Sequence, residues 1–471
     1  MTPTATAHQY RVRDYQETLI QNICQQWQQG QQRVLAQLPT GGGKTIIAGA
    51  IASSFTCRDE TVLFLAHREE LLTQAASKIG QIAAVPVGII KAGYQPNLTA
   101  PIQVASVQSM VNRLSLFPDP ALVITDESHH ATASGYRKIY QAYPDAYQLG
   151  ITATPIRLDG SGFEDLFDTL VCGPSVSQLI EQGYLSQFKL FADPSPMTTK
   201  GARISGGDWS AGDVAAENNI VELSGSLIRS YQQHCPGKRC LVFTINVEHS
   251  QAIAWRYNQA GIPACHLDGE TPTVERKDAI ARFAAGELKV LSNCALFDEG
   301  LDIPGIDAVQ IAKPTKSLSK WLQMVGRALR PAAGKEFATI LDHTKNWTIH
   351  GLPTRPRVWT LEGVEVRQDI RAKANESGEV TEEPIALEII ESDNSLEAIS
   401  VTPLDEYRAV LDDLIRKQQQ RHYNLSWVYY KLLELKPPLE IWQEYARMRG
   451  YRPGWAWFRF QEQLKAIGGQ A

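Results

Sequence analysis

Residues 38–45 read Leu-Pro-Thr-Gly-Gly-Gly-Lys-Thr. The apolar run Arg33-Val34-Leu35-Ala36 stands just before them, and the helix-forming run Ile46-Ile47-Ala48-Gly49-Ala50 just after. A strand that enters a glycine-rich turn and leaves as a helix, with Lys-Thr at the junction, commits this region to a β-loop-α unit that cradles phosphate. Successive N–H groups of Thr40, Gly41, Gly42 and Gly43 can close around a polyphosphate, and the helix N-terminus adds the positive end of its dipole. Lys44 is placed to reach the β- and γ-phosphates, and Thr45 to put its hydroxyl on a Mg²⁺ ion. Leu38 stands where the pattern usually has its first glycine, so the match rests on the flanking strand and helix.

A chain of 471 residues exceeds what one core can hold and implies two or three domains. From about residue 10 to 185, short β-branched runs alternate with helical stretches. The expected strands are 33–38, 61–66, 102–105, 121–125 and 147–152, and the rhythm returns at 240–244, 264–267, 289–293, 308–312 and 337–341. Such alternation predicts an α/β fold with two parallel sheets in tandem, ligands lying at the strands' C-terminal ends. The segment 193–222, rich in Gly, Ser, Pro and Asn, reads as a connector or irregular insert. Residues 371–400 carry eight acidic side chains against two basic ones and read as an acidic linker. Residues 404–471 hold four tryptophans and read as a small helical module. The expected domains are therefore 1–185, 186–353, an extension over 354–400 and a module over 401–471.

The net charge of −5 leaves any nucleic-acid binding to local basic surfaces. Seven scattered cysteines complete no zinc site and imply reduced, mostly buried thiols in a cytoplasm. No apolar run is long enough to span a membrane and no secretory signal is present; Met1–His8 is polar and expected to fray.

Asp126-Glu127-Ser128-His129 follows the apolar run Ala121-Leu122-Val123-Ile124-Thr125. Downstream of a phosphate loop, Asp126 suits a Mg²⁺ held through water and Glu127 suits the base that orients and deprotonates an attacking water. In the second half, Gln323-Met324-Val325-Gly326-Arg327-Ala328-Leu329-Arg330 reads as a helix. Gln323, Arg327 and Arg330 share one face of it at i, i+4 and i+7. An arginine on the γ-phosphate is worth on the order of 10³–10⁵ in the rate of phosphoryl transfer.

Taken as an ordered set, these motifs resemble the superfamily 2 helicases, specifically their DExH branch, over about residues 1–353. Arg13-Asp14-Tyr15-Gln16 is similar to the upstream element that reads adenine, with Arg13 and Gln16 at the base. Phe64–Leu71 resembles motif Ia, Ser106-Val107-Gln108-Ser109 motifs Ib and Ic, and Thr152-Ala153-Thr154-Pro155 motif III. Val242–Asn246 resembles motif IV, Ser292–Pro304 motif V and Gln323–Arg330 motif VI. The resemblance implies two RecA-like domains that bind ATP and Mg²⁺ in their cleft, Gly300 and Asp302 among the nucleotide contacts and Arg327 and Arg330 on the γ-phosphate. It also implies a nucleic-acid strand crossing both domains, with Arg68, Ser106, Gln108 and Thr315 on that path and contacts directed at phosphates rather than bases.

His129, Thr152-Ala153-Thr154 and Ala66-His67-Arg68-Glu69-Glu70-Leu71 depart from the DEAD-box RNA helicase pattern and favour a DNA-directed motor. Asp342-His343 with His350-Gly351-Leu352-Pro353, and Gly450–Ala456, resemble segments of bacterial RadD-like helicases and their phage-encoded relatives. The Cys-rich zinc segment that many of those carry is missing. The expectation is a monomeric, cytoplasmic ATP-dependent DNA helicase or translocase, serving repair by analogy and moving 3′ to 5′ by family default. Two rivals stay open: an RNA remodeller on the same motor, and an ATP-gated scaffold docking protein partners through 401–471. In that module Arg447, Arg449, Arg452 and Arg459 with Tyr451, Trp455, Trp457 and Phe458 could grip a single strand, or simply form a Trp-centred core.

Overall fold

A computed structural model describes residues 12–66, 69–95, 97–128, 134–157, 160–193, 195–297, 303, 305–364, 397–399, 403–420, 426–435, 439–449, 451, 456 and 459. Of the positions singled out in the sequence, Met1–His8, Arg68, His129, Gly300, Asp302, most of the acidic stretch, Arg452, Trp455, Trp457 and Phe458 lie outside the described residues.

The first lobe is a parallel sheet of β1 (Arg33–Gln37), β2 (Val62–Ala66), β3 (Val87–Ile90), β4 (Ile102–Ser106), β5 (Leu122–Asp126), β6 (Tyr147–Thr152) and β7 (Thr169–Cys172), in the order β3-β4-β2-β5-β6-β1-β7. Around it run α1 (Asp14–Gln28), α2 (Lys44–Thr56), α3 (Glu69–Ala83), α4 (Val107–Val111), α5 (Ser134–Ala142) and α6 (Val176–Glu181). β2 and β4 are buried at every position because helices cover both faces, which is why they read as unbroken apolar runs. Leu35, Leu63, Val123, Phe163 and Phe167 centre one of its core clusters.

The second lobe repeats the plan. β8 (Phe188–Ala192) opens it, the short ribbon β9 (Ile204–Ser205) and β10 (Asp208–Trp209) follows, and then come β11 (Cys240–Thr244), β12 (Ala264–Leu267), β13 (Val290–Asn293), β14 (Ala308–Ala312) and β15 (Ala338–Asp342). The parallel order is β12-β13-β11-β14-β15-β8. Its helices are α7 (Ala211–Glu217), α8 (Ile220–His234), α9 (Val247–Gln259), α10 (Thr273–Ala284), α11 (Leu318–Ala328) and α12 (Asn346–His350). Each of the ten strands expected from the sequence is present within one residue at either end.

The segment 193–222 is more ordered than its composition suggests. The ribbon, α7 and the start of α8 occupy it. Asp208 holds the ribbon at the α11 N-terminus: its carboxylate accepts from Thr315 Oγ1 at 2.7 Å, Lys316 N at 2.7 Å and Lys320 Nζ at 2.9 Å. Burial works against its charge, but these donors prevail and hold its pKa below the ordinary 3.8.

Residues 354–364, read as the start of a linker, instead return to the first lobe. The Arg357 guanidinium donates to the carbonyls of His350, Leu352, Pro353 and Arg355, which coils the chain tightly. Ser177 Oγ then donates to Thr354 O at 3.0 Å, and Phe163 N to Leu361 O at 2.5 Å. Leu361, in the turn between β16 (Trp359–Thr360) and β17 (Gly363–Val364), packs on the first lobe's core.

None of the seven cysteines is in a disulfide, and only Cys235 and Cys240 are buried, so the expectation of mostly buried thiols is corrected. Cys235 and Cys240 belong to the second lobe's core cluster, whereas Cys57 and Cys172, at the ends of α2 and β7, are exposed.

The C-terminal residues form a separate compact unit with helices α13 (Pro403–Gln420), α14 (Ser426–Leu435) and α15 (Leu439–Arg449). Leu411, Val428, Leu432, Trp442 and Tyr445 make its core. Arg449 lies over the Tyr445 ring at 5.6 Å and reaches Gln418 Oε1 at 3.2 Å, and Arg459 lies over Tyr429 at 5.2 Å. Both arginines therefore stack on the module's own tyrosines.

Candidate nucleotide site between the lobes

β1 ends in the loop 38–43, and α2 starts at Lys44 with Gly43 as its N-cap. Gly41 and Gly43 hold φ of +87° and +89°, left-handed values that a side chain resists. Space forbids one as well, since a Cβ on Gly42 would lie 2.7 Å from the Leu38 side chain. Leu38, the departure from the usual pattern, thus packs beneath the loop and is fully buried. Tyr15 Oη donates to Gly42 O at 2.7 Å and Gln16 Nε2 to the same oxygen at 3.0 Å. α1 therefore pins the loop from one side.

Gln16 is buried, and its Oε1 accepts from Arg13 N at 3.0 Å, so both ends of its amide are engaged within the chain. Arg13 lies over the Tyr184 ring at 4.7 Å, and Tyr15 packs against the same ring at 4.9 Å. Tyr15 and Tyr184 escaped notice in the sequence. The signal for Tyr15 was its place between Arg13 and Gln16, whereas Tyr184 joins them only through tertiary structure.

Across the loop, β5 delivers Asp126 and Glu127. Glu127 is a non-glycine residue at φ +47°, a strained value of the kind that clusters at working sites. Its N–H donates to Asp126 Oδ1 at 2.9 Å, and its carboxylate lies 3.3 Å from Lys44 Nζ. Glu127 and Lys44 are both largely shielded from solvent. Thr45, in the first turn of α2, and Asp126, at the end of β5, are the hydroxyl and carboxylate available to a divalent cation.

The second lobe closes the site with α11. Gln323 Nε2 approaches Glu127 Oε2 at 3.5 Å, and Thr154 Oγ1 donates to Ser319 Oγ at 2.6 Å in a buried bond between lobes. A Cβ on Gly326 would lie 2.6 Å from Thr40 Cβ, and one on Gly41 3.5 Å from Arg330 Cγ. The helix thus brings Arg327, itself 3% exposed, to this side, while Arg330, expected on the same helical face, lies in the turn beyond the helix end and reaches the phosphate loop from there. The hydroxyl of Thr40 and the amide oxygen of Gln323 are buried here without a hydrogen-bond partner. Buried polar groups are seldom left so; the Thr40 hydroxyl can donate to a phosphate oxygen, and the Gln323 oxygen can accept from a water.

The residues expected on a strand path fare differently. Gln108 is exposed on α4. Ser106 is buried as the N-cap of that helix, its Oγ accepting from Ser109 N at 3.3 Å. Thr315 is fully buried: its hydroxyl donates to Asp208 and accepts from Ser317 N at 3.0 Å, while its carbonyl faces His350 Nε2 at 2.9 Å. A surface contact through the Thr315 side chain is thereby corrected; a backbone turn needed that hydroxyl inside.

Residues 9–157 match the family described as the type III restriction enzyme res subunit, and residues 222–332 match the helicase conserved C-terminal domain. The chain is 36% identical over 327 residues to a 51.5 kDa protein of a Lactococcus phage, which covers 69% of this chain and 68% of that one. It is 26% identical over 393 residues to the DNA 3′-5′ translocase XPB2 of Sulfurisphaera tokodaii, covering 74% and 84%. Two fungal relatives, 29% and 30% identical, are spanned over 51% and 57% of their own length, so the chain covers little more than half of them. In fold it is similar to an ATP-dependent Type ISP restriction-modification enzyme bound to DNA, at a TM-score of 0.54 and 20% identity over 72% of this chain and 28% of that one. With both halves of the motor matched in order and a phage relative this similar, the chain belongs to the superfamily 2 helicases.

Proposed function

We propose that this chain is an ATP-driven motor that moves along DNA, coupling hydrolysis in the cleft to a change in lobe separation. The observation that carries the reading is the cross-lobe chain Lys44–Glu127–Gln323, with the arginine-bearing end of α11 packed on the phosphate loop. Lys44 neutralises Glu127 in this conformation. A triphosphate draws that ammonium onto its β- and γ-oxygens and leaves the Glu127 carboxylate to take the proton of the attacking water. Gln323 orients the same carboxylate from the other lobe. Arg327 and Arg330 neutralise charge that develops on the transferred phosphoryl group, so hydrolysis is fast only while the lobes are closed. Thr45 and Asp126 would hold Mg²⁺, which would add charge neutralisation on the phosphates. Arg13, Gln16 and the phosphate-loop glycines hold the nucleotide, with Gly300 and Asp302 assigned to it by motif.

The name of the archaeal relative supports DNA as the track and 3′ to 5′ as the direction. Gln108, on an exposed helix, and Arg68 are the assigned strand contacts. The test is hydrolysis measured with single-stranded DNA, duplex DNA and RNA, followed by strand displacement on duplexes with 3′ or 5′ tails. DNA stimulation with 3′-tail preference is expected. Stimulation by RNA alone would replace the DNA reading, and none by any nucleic acid would remove the motor.

A further inference from the structure

Lys335 is remote from the phosphate loop in sequence, and no motif includes it. It follows the turn Pro331-Ala332-Ala333-Gly334, where Lys335 N donates to Ala332 O at 3.1 Å and Gly334 takes φ +76°. The side chain turns inward, and its ammonium meets three carbonyls: Ile306 at 2.8 Å, Arg330 at 2.9 Å, and Ala328.

One of those carbonyls, Ala328, ends α11, and another, Arg330, lies in the turn that leaves it. Helix C-termini leave their last carbonyls without intrahelical donors, and a cation there also opposes the negative end of the dipole. α11 ends at Ala328, so Ala328 O is such an orphan, and Arg330 O belongs to the turn just beyond; the Leu329 carbonyl between them accepts from Ser186 N at 2.8 Å. The third acceptor, Ile306, stands just beyond the motif V stretch 292–304. One ammonium with three N–H donors thus joins the tails of motifs V and VI, the two second-lobe elements assigned to the nucleotide.

We propose that Lys335 is a positioning residue for hydrolysis, a staple that fixes the backbone on either side of Leu329 and thereby aims Arg327 and Arg330. This rests on the motor reading above. Arg327 immediately precedes one stapled carbonyl, and Arg330 carries another. Displacing such groups by about 1 Å is enough to lose on the order of 10² in rate. The charged groups that face Lys335 are Asp307 and Arg239, themselves paired at 3.2 Å. Burial lowers the Lys335 pKa from 10.5 to about 8, Asp307 opposing the shift and Arg239 adding to it. Above that pH the neutral amine keeps two N–H groups for three carbonyls.

Lys335→Met is expected to lower kcat for DNA-stimulated hydrolysis roughly 10- to 100-fold while KM for ATP stays within about threefold. Lys335→Arg, a permanent cation, should recover most of the loss. In the wild type, kcat at saturating ATP should fall above pH about 8, and Lys335→Arg should carry that limb to higher pH. A folded Lys335→Met with kcat within twofold of wild type, or with KM rising as much as kcat falls, overturns the staple. If Lys335→Met does not fold, the two pH profiles decide, and coincident alkaline limbs overturn it. A wild type that turns over no ATP overturns the motor reading and the staple with it, whereas an active wild type indifferent to Lys335 overturns the staple alone.

Discussion

Gly326→Ala separates folding from lobe closure. Gly326 lies inside α11 against Thr40, where a methyl carbon would sit 2.6 Å from Thr40 Cβ and 2.9 Å from its Cγ2. Carbon atoms rest about 3.5–4.0 Å apart, so the lobes must part by about 1 Å. Within a helix the same substitution is favourable by about 1 kcal/mol, so the second lobe itself gains. Overpacking of a tight contact costs about 1–3 kcal/mol, which at 1.4 kcal/mol per factor of ten disfavours the closed state by about 5- to 150-fold. The closure term therefore dominates activity and the helix term dominates stability. We expect kcat/KM for ATP, measured with saturating DNA, to fall about 10- to 100-fold while Tm by calorimetry holds or rises. The reasoning is refuted by kcat/KM within twofold of wild type, or by a Tm that drops together with activity.

Lys44→Ala and Glu127→Gln should each lose at least about 10²-fold in ATP turnover with circular dichroism unchanged; full turnover in either rejects the assigned site. Thr154→Val and Ser319→Ala each remove the 2.6 Å bond between lobes, and each should raise KM for ATP about fivefold, near 1 kcal/mol. The double mutant should be no worse than either single one, and additive effects would show the bond plays no part in closure. Asp208→Asn should destabilise the second lobe by about 1–3 kcal/mol by chemical denaturation. Because the Asp208 pKa is held below 3.8, its contribution is present above that pH and lost as pH falls through the lower folded value. A wild type and Asp208→Asn that differ equally at pH 7 and at pH 2 would contradict this.

The strands and the phosphate loop were legible because buried parallel strands announce themselves as apolar runs, and because Gly-Lys-Thr at a strand end admits few alternatives. β3, β7, β8 and the ribbon β9–β10 escaped: β3 is an edge strand with Gly88 just after Pro86, β7 is an edge strand only half-buried, and β9 and β10 are two residues each. The motif proposes Glu127 as a base, but its left-handed backbone was not readable, since nothing in Asp-Glu-Ser asks for it. Thr315 misled because a hydroxyl near motif VI looks like a phosphate contact, whereas its partner Asp208 stands 107 residues away. The return of residues 354–364 to the first lobe was hidden for the same reason: a short polar run reveals its anchor only when Phe163 and Ser177 are seen beneath it.

That return has a mechanical outcome. The polypeptide passes between the lobes at 184–186 and again through 351–361, each passage fastened by hydrogen bonds. Two fastened passages favour turning about the line through them, as a door does on its pins, over twisting or sliding. Each turnover should therefore deliver a swing of fixed direction, and cutting the second pin by removing its grip at Leu361 should leave a motor that still burns fuel but wastes its stroke.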